Sequence, residues 1–356
     1  MTQTIQTKKK LPKVLIIYTG GTFGMEIQAH SKERTLTIPS FSPSHLKKRF
    51  LDFVPELKNL AQCDVDVILN RDSAHIGPSE WILIAQKIKQ KWKNYDGIVL
   101  LHGTDTLAYT SSALSFLLRP CVVPVVITGA QRPLSALRTD ARSNLISAVE
   151  IAALGPRKIV QQVTVFFGNK LLQGNRVRKV SASDFNAFDS PSLSPLALVG
   201  TTIRYTDHLF APPTNRLKLL QCFDQKVLLI HITPALPSDL LSQSLLPQLH
   251  AMVLVVFHSW TAPTHDPSFI QFLKLAQSQH TPIVLVIQDS SQQPCSTSQL
   301  MNYAAGKSLL SNGCFSANSM TPECAYVRTQ LLLSQAKDIR EFGRFWKQDL
   351  AGEGIH

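Results

Sequence analysis

The chain has 356 residues, of which 44% are hydrophobic and 17% charged, with 16 Gly and 21 Pro scattered without period. At about 150 residues per domain this length suggests two domains, and the composition excludes a disordered chain, a collagen and a low-complexity protein. Lys and Arg outnumber Asp and Glu by 36 to 24, a formal charge of +12. That balance invites a nucleic-acid partner. However, much of the excess sits in Lys8, Lys9, Lys10, Lys13, Lys47, Lys48 and Arg49 and in the alternating run Lys87, Lys89, Lys91, Lys93. Zinc-finger spacing and an aromatic-plus-basic RNA signature are both absent. The charge reads as solvated surface, or as a match to an acidic small substrate, and no nucleic-acid partner is expected.

Residues 1–12 read as a basic tail. The apolar run that follows, 14–17, is too short for a signal-peptide core and leads into glycines with no cleavage site. Apolar runs nowhere approach the ~18 residues that span a bilayer, so no membrane partner is expected. The six cysteines form no Cys-x-x-Cys pair and are too sparse for a disulfide framework, which points to a reducing, cytoplasmic setting. His, Cys and Asp show no metal-ligand spacing, so no metal site is expected.

In chain order, continuous apolar runs predict strands at 14–18, 65–69, 97–102, 123–128 and 163–167, with helices at 80–93, 106–118 and 143–154 between them. Uninterrupted apolar strands fit a parallel sheet covered on both faces. Residues 205–225 lose all period and contain Asp207, His208, Ala211, Pro212, Pro213 and Thr214, as a linker would. Strands return at 227–232, 251–257 and 282–288, with helices at 267–277, 300–311 and 324–334. The expected fold is therefore α/β. A larger N-terminal α/β domain covers 13–204 and a smaller C-terminal α/β domain covers 226–356. Ligands of open parallel sheets bind beyond the carboxyl ends of the strands, so the residues after each strand are the candidates for chemistry.

After the first strand stands Thr19-Gly20-Gly21-Thr22-Phe23-Gly24-Met25. Its glycines permit close approach to a ligand. The loop could hold a hydroxyl nucleophile or simply form a glycine-rich turn, and it matches neither dinucleotide fingerprint nor P-loop. After the third strand, His102-Gly103-Thr104-Asp105-Thr106 enters a helix. Thr104 or Asp105 could cap that helix, or present a hydroxyl and a carboxylate at its positive end. After the fourth strand comes Thr128-Gly129-Ala130-Gln131, and after the fifth Gly174-Asn175-Arg176-Val177-Arg178-Lys179. His102 reads as support for the Thr104 loop; His75 and His258 are weaker candidates for a pocket lining.

Taken together, these loops resemble the bacterial-type L-asparaginases, most of all the type I cytoplasmic branch. Further carriers are Tyr95-Asp96-Gly97, Phe188-Asp189-Ser190-Pro191, Asn302-Tyr303-Ala304-Ala305-Gly306 and Met320-Thr321-Pro322-Glu323. The resemblance runs from Tyr18 to about Ser334. It implies hydrolysis of L-asparagine to L-aspartate and ammonia, a flavodoxin-like larger domain, a homodimer or homotetramer with sites at subunit interfaces, and no cofactor. It also implies that Thr22 is the nucleophile and that Thr104, Asp105 and Lys179 form the relay beside it. Asp72, Ser73 and Ala74, in the loop after the second strand, would bind the amino-acid end of the substrate, with Gly21, Ala130, Thr104 and Asp105 completing the pocket.

Those residue types suit the task. A threonine hydroxyl is a weak nucleophile and needs a base. Lys179 can act as one only when uncharged; Asp105 opposes that, and would also hold the substrate's α-ammonium. Backbone N–H groups near Thr22 and Thr104 could form an oxyanion hole. On residue type alone, either threonine could attack first.

Three positions depart from the family pattern. Thr37 stands near the place of a Tyr that bonds the nucleophile in many relatives. Ala74-His75 replaces a polar residue followed by Asp. His258-Ser259-Trp260-Thr261 stands where a Gly-x-Gly-Asn loop of the neighbouring subunit is expected, and Val255 where some type I members carry an Arg for allosteric asparagine. Two other readings follow. One is a catalytically weak amino-acid sensor on the same scaffold. The other is the asparaginase-like subunit of a tRNA-dependent amidotransferase, disfavoured because only 13 residues precede the first expected strand.

Overall fold

A computed structural model describes residues 10–28, 35–37, 42–191, 193–206, 219–288 and 300–354. The described strands are β1 (Lys13–Gly20), β2 (Glu26–Gln28), β3 (Thr35–Thr37), β4 (Gln62–Arg71), β5 (Gly97–Leu101), β6 (Val125–Thr128), β7 (Val163–Phe167), β8 (Lys170–Gln173), β9 (Arg178–Lys179), β10 (Phe188–Asp189), β11 (Ala197–Val199), β12 (Ile203–Tyr205), β13 (Val227–His231), β14 (Ala251–Val256), β15 (Ile283–Ile287) and β16 (Phe315–Ser316). The helices are α1 (Pro43–Phe53), α2 (Leu57–Leu60), α3 (Pro78–Lys91), α4 (Leu107–Leu117), α5 (Ala141–Leu154), α6 (Arg157–Val160), α7 (Ser238–Leu240), α8 (Pro267–Ser278), α9 (Ala304–Ser311), α10 (Pro322–Leu333) and α11 (Ile339–Trp346).

The larger sheet runs β12-β11-β8-β7-β6-β5-β1-β4. Its β4, β1, β5, β6 and β7 are parallel. Leaving aside the β2–β3 hairpin, their order is second, first, third, fourth, fifth, the flavodoxin-like arrangement. The expectation of a wholly parallel sheet is corrected at the other edge, where β8, β11 and β12 run antiparallel. β7 and β8 are joined by a tight turn in which Gly168 takes φ +63°, and a connection that short can only reverse the chain. The smaller sheet, β13-β14-β15-β16, is parallel throughout.

Burial explains the apolar runs. β1, β5, β6 and β7 lie between two layers. On one face, α1 and α5 cover Ile16, Val99, Val126 and Phe166. On the other, α3 and α4 cover Leu15, Leu100, Ile127 and Val165. That second layer is continuous with one face of the smaller sheet through α10 and α11, so Val253, Val284, Ala325 and Trp346 belong to the same core. The smaller sheet's other face packs on α8 through Phe269, Phe272 and Leu273.

Most of the expected linker, 207–218, lies outside the described residues, as does the tail up to residue 9. Where the described chain resumes, Phe223 stacks edge-on against Trp81 at 5.4 Å, and Tyr205 at the expected linker's start belongs to β12.

Candidate active site

The parallel order reverses between β4-β1 and β1-β5, so the loops leaving β1, β4 and β5 converge at the carboxyl edge of the sheet. Glycine makes this contact possible. A Cβ on Gly20 would stand 2.1 Å from the Arg71 carbonyl oxygen, and one on Gly21 would stand 2.4 Å from Gly103 Cα. Both take positive φ, +117° and +81°, a region closed to most side chains. Gly103 in turn abuts Ser73 and Gly21. Thr22 opens a single 3₁₀ turn held by Met25 N–H donating to the Thr22 carbonyl at 3.1 Å. Its side chain is half-buried.

Thr104 is buried at the end of β5, and its Oγ1 receives Lys179 Nζ at 2.8 Å; the same Nζ reaches Asp105 Oδ1 at 2.6 Å. Lys179 lies on β9, 75 residues from Thr104. Its side chain is 20% exposed, whereas that of Asp105 is 68% exposed. The amine is thus turned inward and the carboxylate lies open to an incoming cation. An ion pair so exposed contributes only about 0.2–1 kcal/mol to stability.

His102 fixes the Thr104 loop from below. Its Nδ1 lies 2.7 Å from the Gly103 carbonyl oxygen and its Nε2 lies 3.0 Å from Thr110 Oγ1, which also accepts from Trp81 Nε1 at 3.0 Å. A carbonyl can only accept, so Nδ1 carries the proton and Thr110 donates to Nε2. Complete burial holds the imidazole neutral, with its pKa pushed down to about 4. Thr106 Oγ1 donates to the Ser73 carbonyl at 2.6 Å, tying the β4 and β5 loops together.

In the β4 loop, Ser73 is buried against Gly103, but Asp72, Ala74 and His75 are exposed, and Asp72 Oδ1 caps the Ala74 N–H at 2.9 Å. Ala130 is buried behind Gly129, whose absent Cβ leaves room for the His102 carbonyl. Thr37 sits on the β2–β3 hairpin opposite Glu26. The Thr22 hydroxyl makes no hydrogen bond among the described residues. His258 is exposed beyond β14, and Val255 is buried within that strand.

Two residues that sequence reasoning passed over organise the β6 loop. Buried Asp140 accepts the Gln131 N–H at 2.9 and 3.1 Å and the Arg132 N–H at 3.0 Å, and Asn144 Nδ2 donates to the Gly129 carbonyl at 3.0 Å. Gln131 then reaches the Asp184 carbonyl at 3.1 Å, bracing the loop beyond Lys179. The signal was present, since Asp140 and Asn144 are four apart and so share one face of a helix. Arg176 and Asn175, part of the expected Lys179 motif, point away from the site and are fully buried. Among the described residues, no three His, Cys, Asp or Glu side chains form a metal cluster, and no helix is long and apolar enough to cross a membrane.

The chain is similar to known proteins over most of its length. Residues 13–210 match the family model "Asparaginase, N-terminal", and residues 226–345 match "Glutaminase/Asparaginase C-terminal domain". The chain is 32% identical to L-asparaginase 1 of Escherichia coli, over 96% of this chain and 97% of that one. It is 33% identical to the 60 kDa lysophospholipase of Mus musculus, over 96% of this chain but 62% of that protein. The solved structure of L-asparaginase I from Vibrio cholerae superposes with a TM-score of 0.82 at 33% identity, covering 97% of this chain and all of that one. The chain belongs to the asparaginase family.

Proposed function

We propose that the protein is an L-asparaginase that releases ammonia from L-asparagine through an acyl-enzyme on Thr22. The carrying observation is the Lys179 amine bonded to both Thr104 Oγ1 and Asp105 Oδ1, on the loop that Gly21 brings against Thr22. In this reading the exposed Asp105 carboxylate holds the substrate's α-ammonium. Ser73 and Asp72 lie beside it for the amino-acid end, with Ala74 and the buried Ala130 and Gly21 shaping the pocket.

Thr22 Oγ attacks the side-chain amide carbon, and its proton passes to the site's base. The base is the Thr104 hydroxyl backed by the Lys179 amine, a relay of the kind worth roughly 10²–10⁴ in rate. Backbone N–H groups beside Thr22 and Thr104 receive the negative charge that develops on the amide oxygen. As the C–N bond breaks, the nitrogen takes up the relayed proton and leaves as ammonia. Water then attacks the Thr22 ester, its proton passing through the same relay to the departing Thr22 Oγ, and L-aspartate leaves with the threonine hydroxyl restored.

The same reading makes the protein a homodimer or homotetramer in the cytoplasm, without a cofactor. The free thiols of Cys63, Cys121, Cys222, Cys314 and Cys324 support a reducing compartment. The decisive assay is ammonia release from L-asparagine, L-glutamine and D-asparagine. Turnover of L-asparagine supports the reading. Calorimetric binding of L-asparagine with no ammonia released would replace it with the sensor.

A further inference from the structure

The turn that leads into Lys179 is anchored from an unexpected direction. Gly174–Arg176 forms a 3₁₀ turn between β8 and β9. Its polar side chains are buried, and they bond to residues about 175 positions later. Gln173 Nε2 donates to Asn175 Oδ1 and to the Gly352 carbonyl, both at 2.9 Å. Asn175 Nδ2 donates to the Ala351 carbonyl at 2.9 Å. Arg176 spans the Gly352 carbonyl, at 3.3 Å from both Nε and Nη2, and Ser319, at 2.9 Å from Nη1 to Oγ.

Segment 349–354 is itself tightly built. Gly352 takes φ +75°, which aims two successive carbonyls at the Gln173–Arg176 side chains. Glu353 is fully buried, and its carboxylate accepts the Leu350 N–H at 2.9 Å and the Ala351 N–H at 2.5 Å. Arg328 Nε lies 3.3 Å from the same carboxylate. The Arg328 guanidinium is stacked over Trp346 at 4.6 Å and donates to the Trp346 carbonyl at 2.9 Å. A buried ion pair resists rearrangement, because removing one member leaves the other uncompensated. Among the described residues the segment's hydrogen bonds to the turn go to Gln173, Asn175 and Arg176, and none goes to Thr104 or Asp105.

We propose that segment 349–354, locked by Glu353 and Arg328, is a positioning strap that sets the location of Lys179 by holding the Gln173–Arg176 turn. The inference rests on the reading in which the Lys179 amine serves Thr104. β9 is only two residues long and pairs with β10 at Arg178 and Lys179, with one further backbone bond from Val180 N–H to the Ala187 carbonyl at 2.8 Å, so this short ladder leaves the approach to Lys179 to be set by the turn before it. Two residues, buried Val177 and Arg178, separate the anchored Arg176 from Lys179. A shift of the turn by an ångström therefore moves the amine by a similar amount, and misplacement on that scale can cost about 10²-fold in rate.

The test uses the full chain carrying Glu353→Gln and, separately, Gly352→Ala. The second is a single-methyl change that strains the left-handed backbone at φ +75° and serves if the first fails to fold. Hydrogen–deuterium exchange is read on peptides covering 174–180 and on β1, β5 and β6, alongside kcat and KM for L-asparagine. The strap predicts faster exchange confined to 174–180, a kcat lowered by roughly tenfold or more, and a KM changed by less than about threefold, as expected when an interaction made in the transition state is lost. Unchanged exchange at 174–180 overturns the strap. So does faster exchange there with kcat intact, or a loss of protection spread evenly over the sheet. If the parent protein releases no ammonia, the asparaginase reading fails and the exchange data still decide whether the strap holds the turn.

Discussion

Replacing Gly21 by Ala should separate the Thr22 loop from the Thr104 loop without unfolding the protein. The added Cβ would lie 2.4 Å from Gly103 Cα and 2.6 Å from Gly103 N, whereas ordinary contact begins at 3.4 Å. Both neighbours are backbone atoms, so no side chain can swing aside and the loops must part by about 1 Å. The positive φ of Gly21, +81°, adds strain of about 1 kcal/mol for a residue with a Cβ. A displacement of that size between the proposed nucleophile and relay is worth about 10²-fold in kcat/KM. Ammonia release, paired with thermal unfolding, reads both effects. Gly200→Ala is the control, since nothing lies within 4 Å of its added Cβ, and it should match the parent. Full turnover by Gly21→Ala would refute the claim that these loops must touch.

Lys179→Met should lower ammonia release by roughly 10²–10⁴ while shifting unfolding little, because its partner Asp105 is largely exposed; a variant that retains most of its turnover removes Lys179 from the relay. Asp140→Ala leaves the Gln131 and Arg132 N–H groups without their acceptor, so denaturant unfolding should show a loss of roughly 3 kcal/mol together with reduced kcat/KM, and a neutral effect contradicts the bracing of the β6 loop. His102 predicts a pH dependence of stability. The folded imidazole stays neutral down to about pH 4, whereas the unfolded chain takes up a proton near pH 6.5. Its contribution is therefore fully present above pH 6.5 and is lost, by about 3 kcal/mol, as pH falls toward 4. Urea unfolding across that window should show this loss in the parent and not in His102→Gln; parallel pH profiles would contradict it.

The parallel strands were legible because burial on both faces leaves no polar alternation to obscure them, and 163–167 was expected with the bounds that β7 shows. The antiparallel edge was not. β11 and β12 are three residues each, too short for any periodicity, and the antiparallel edge begins where the tight turn at Gly168 reverses β7 into β8. Helices α1 and α11 carried signals that hydrophobic period alone missed. Ser42 before Pro43 caps α1, and Asp338 with Glu341 caps α11. The four site loops could be found because strand topology fixes where they meet, and Lys179 followed from the resemblance rather than from its surroundings. Arg328, Glu353 and Arg176 could not be read from sequence, because a buried charge is recognisable only with its partner, and their partners lie up to 176 residues away.

The proposed nucleophile is the most direct point of attack. Thr22→Ala removes one hydroxyl from a half-buried turn held by backbone hydrogen bonds, so the fold and the Lys179 contacts should persist. Ammonia release from L-asparagine by this variant, measured beside its melting temperature, should fall to background with the melting temperature unchanged. Turnover near that of the parent protein would contradict the account.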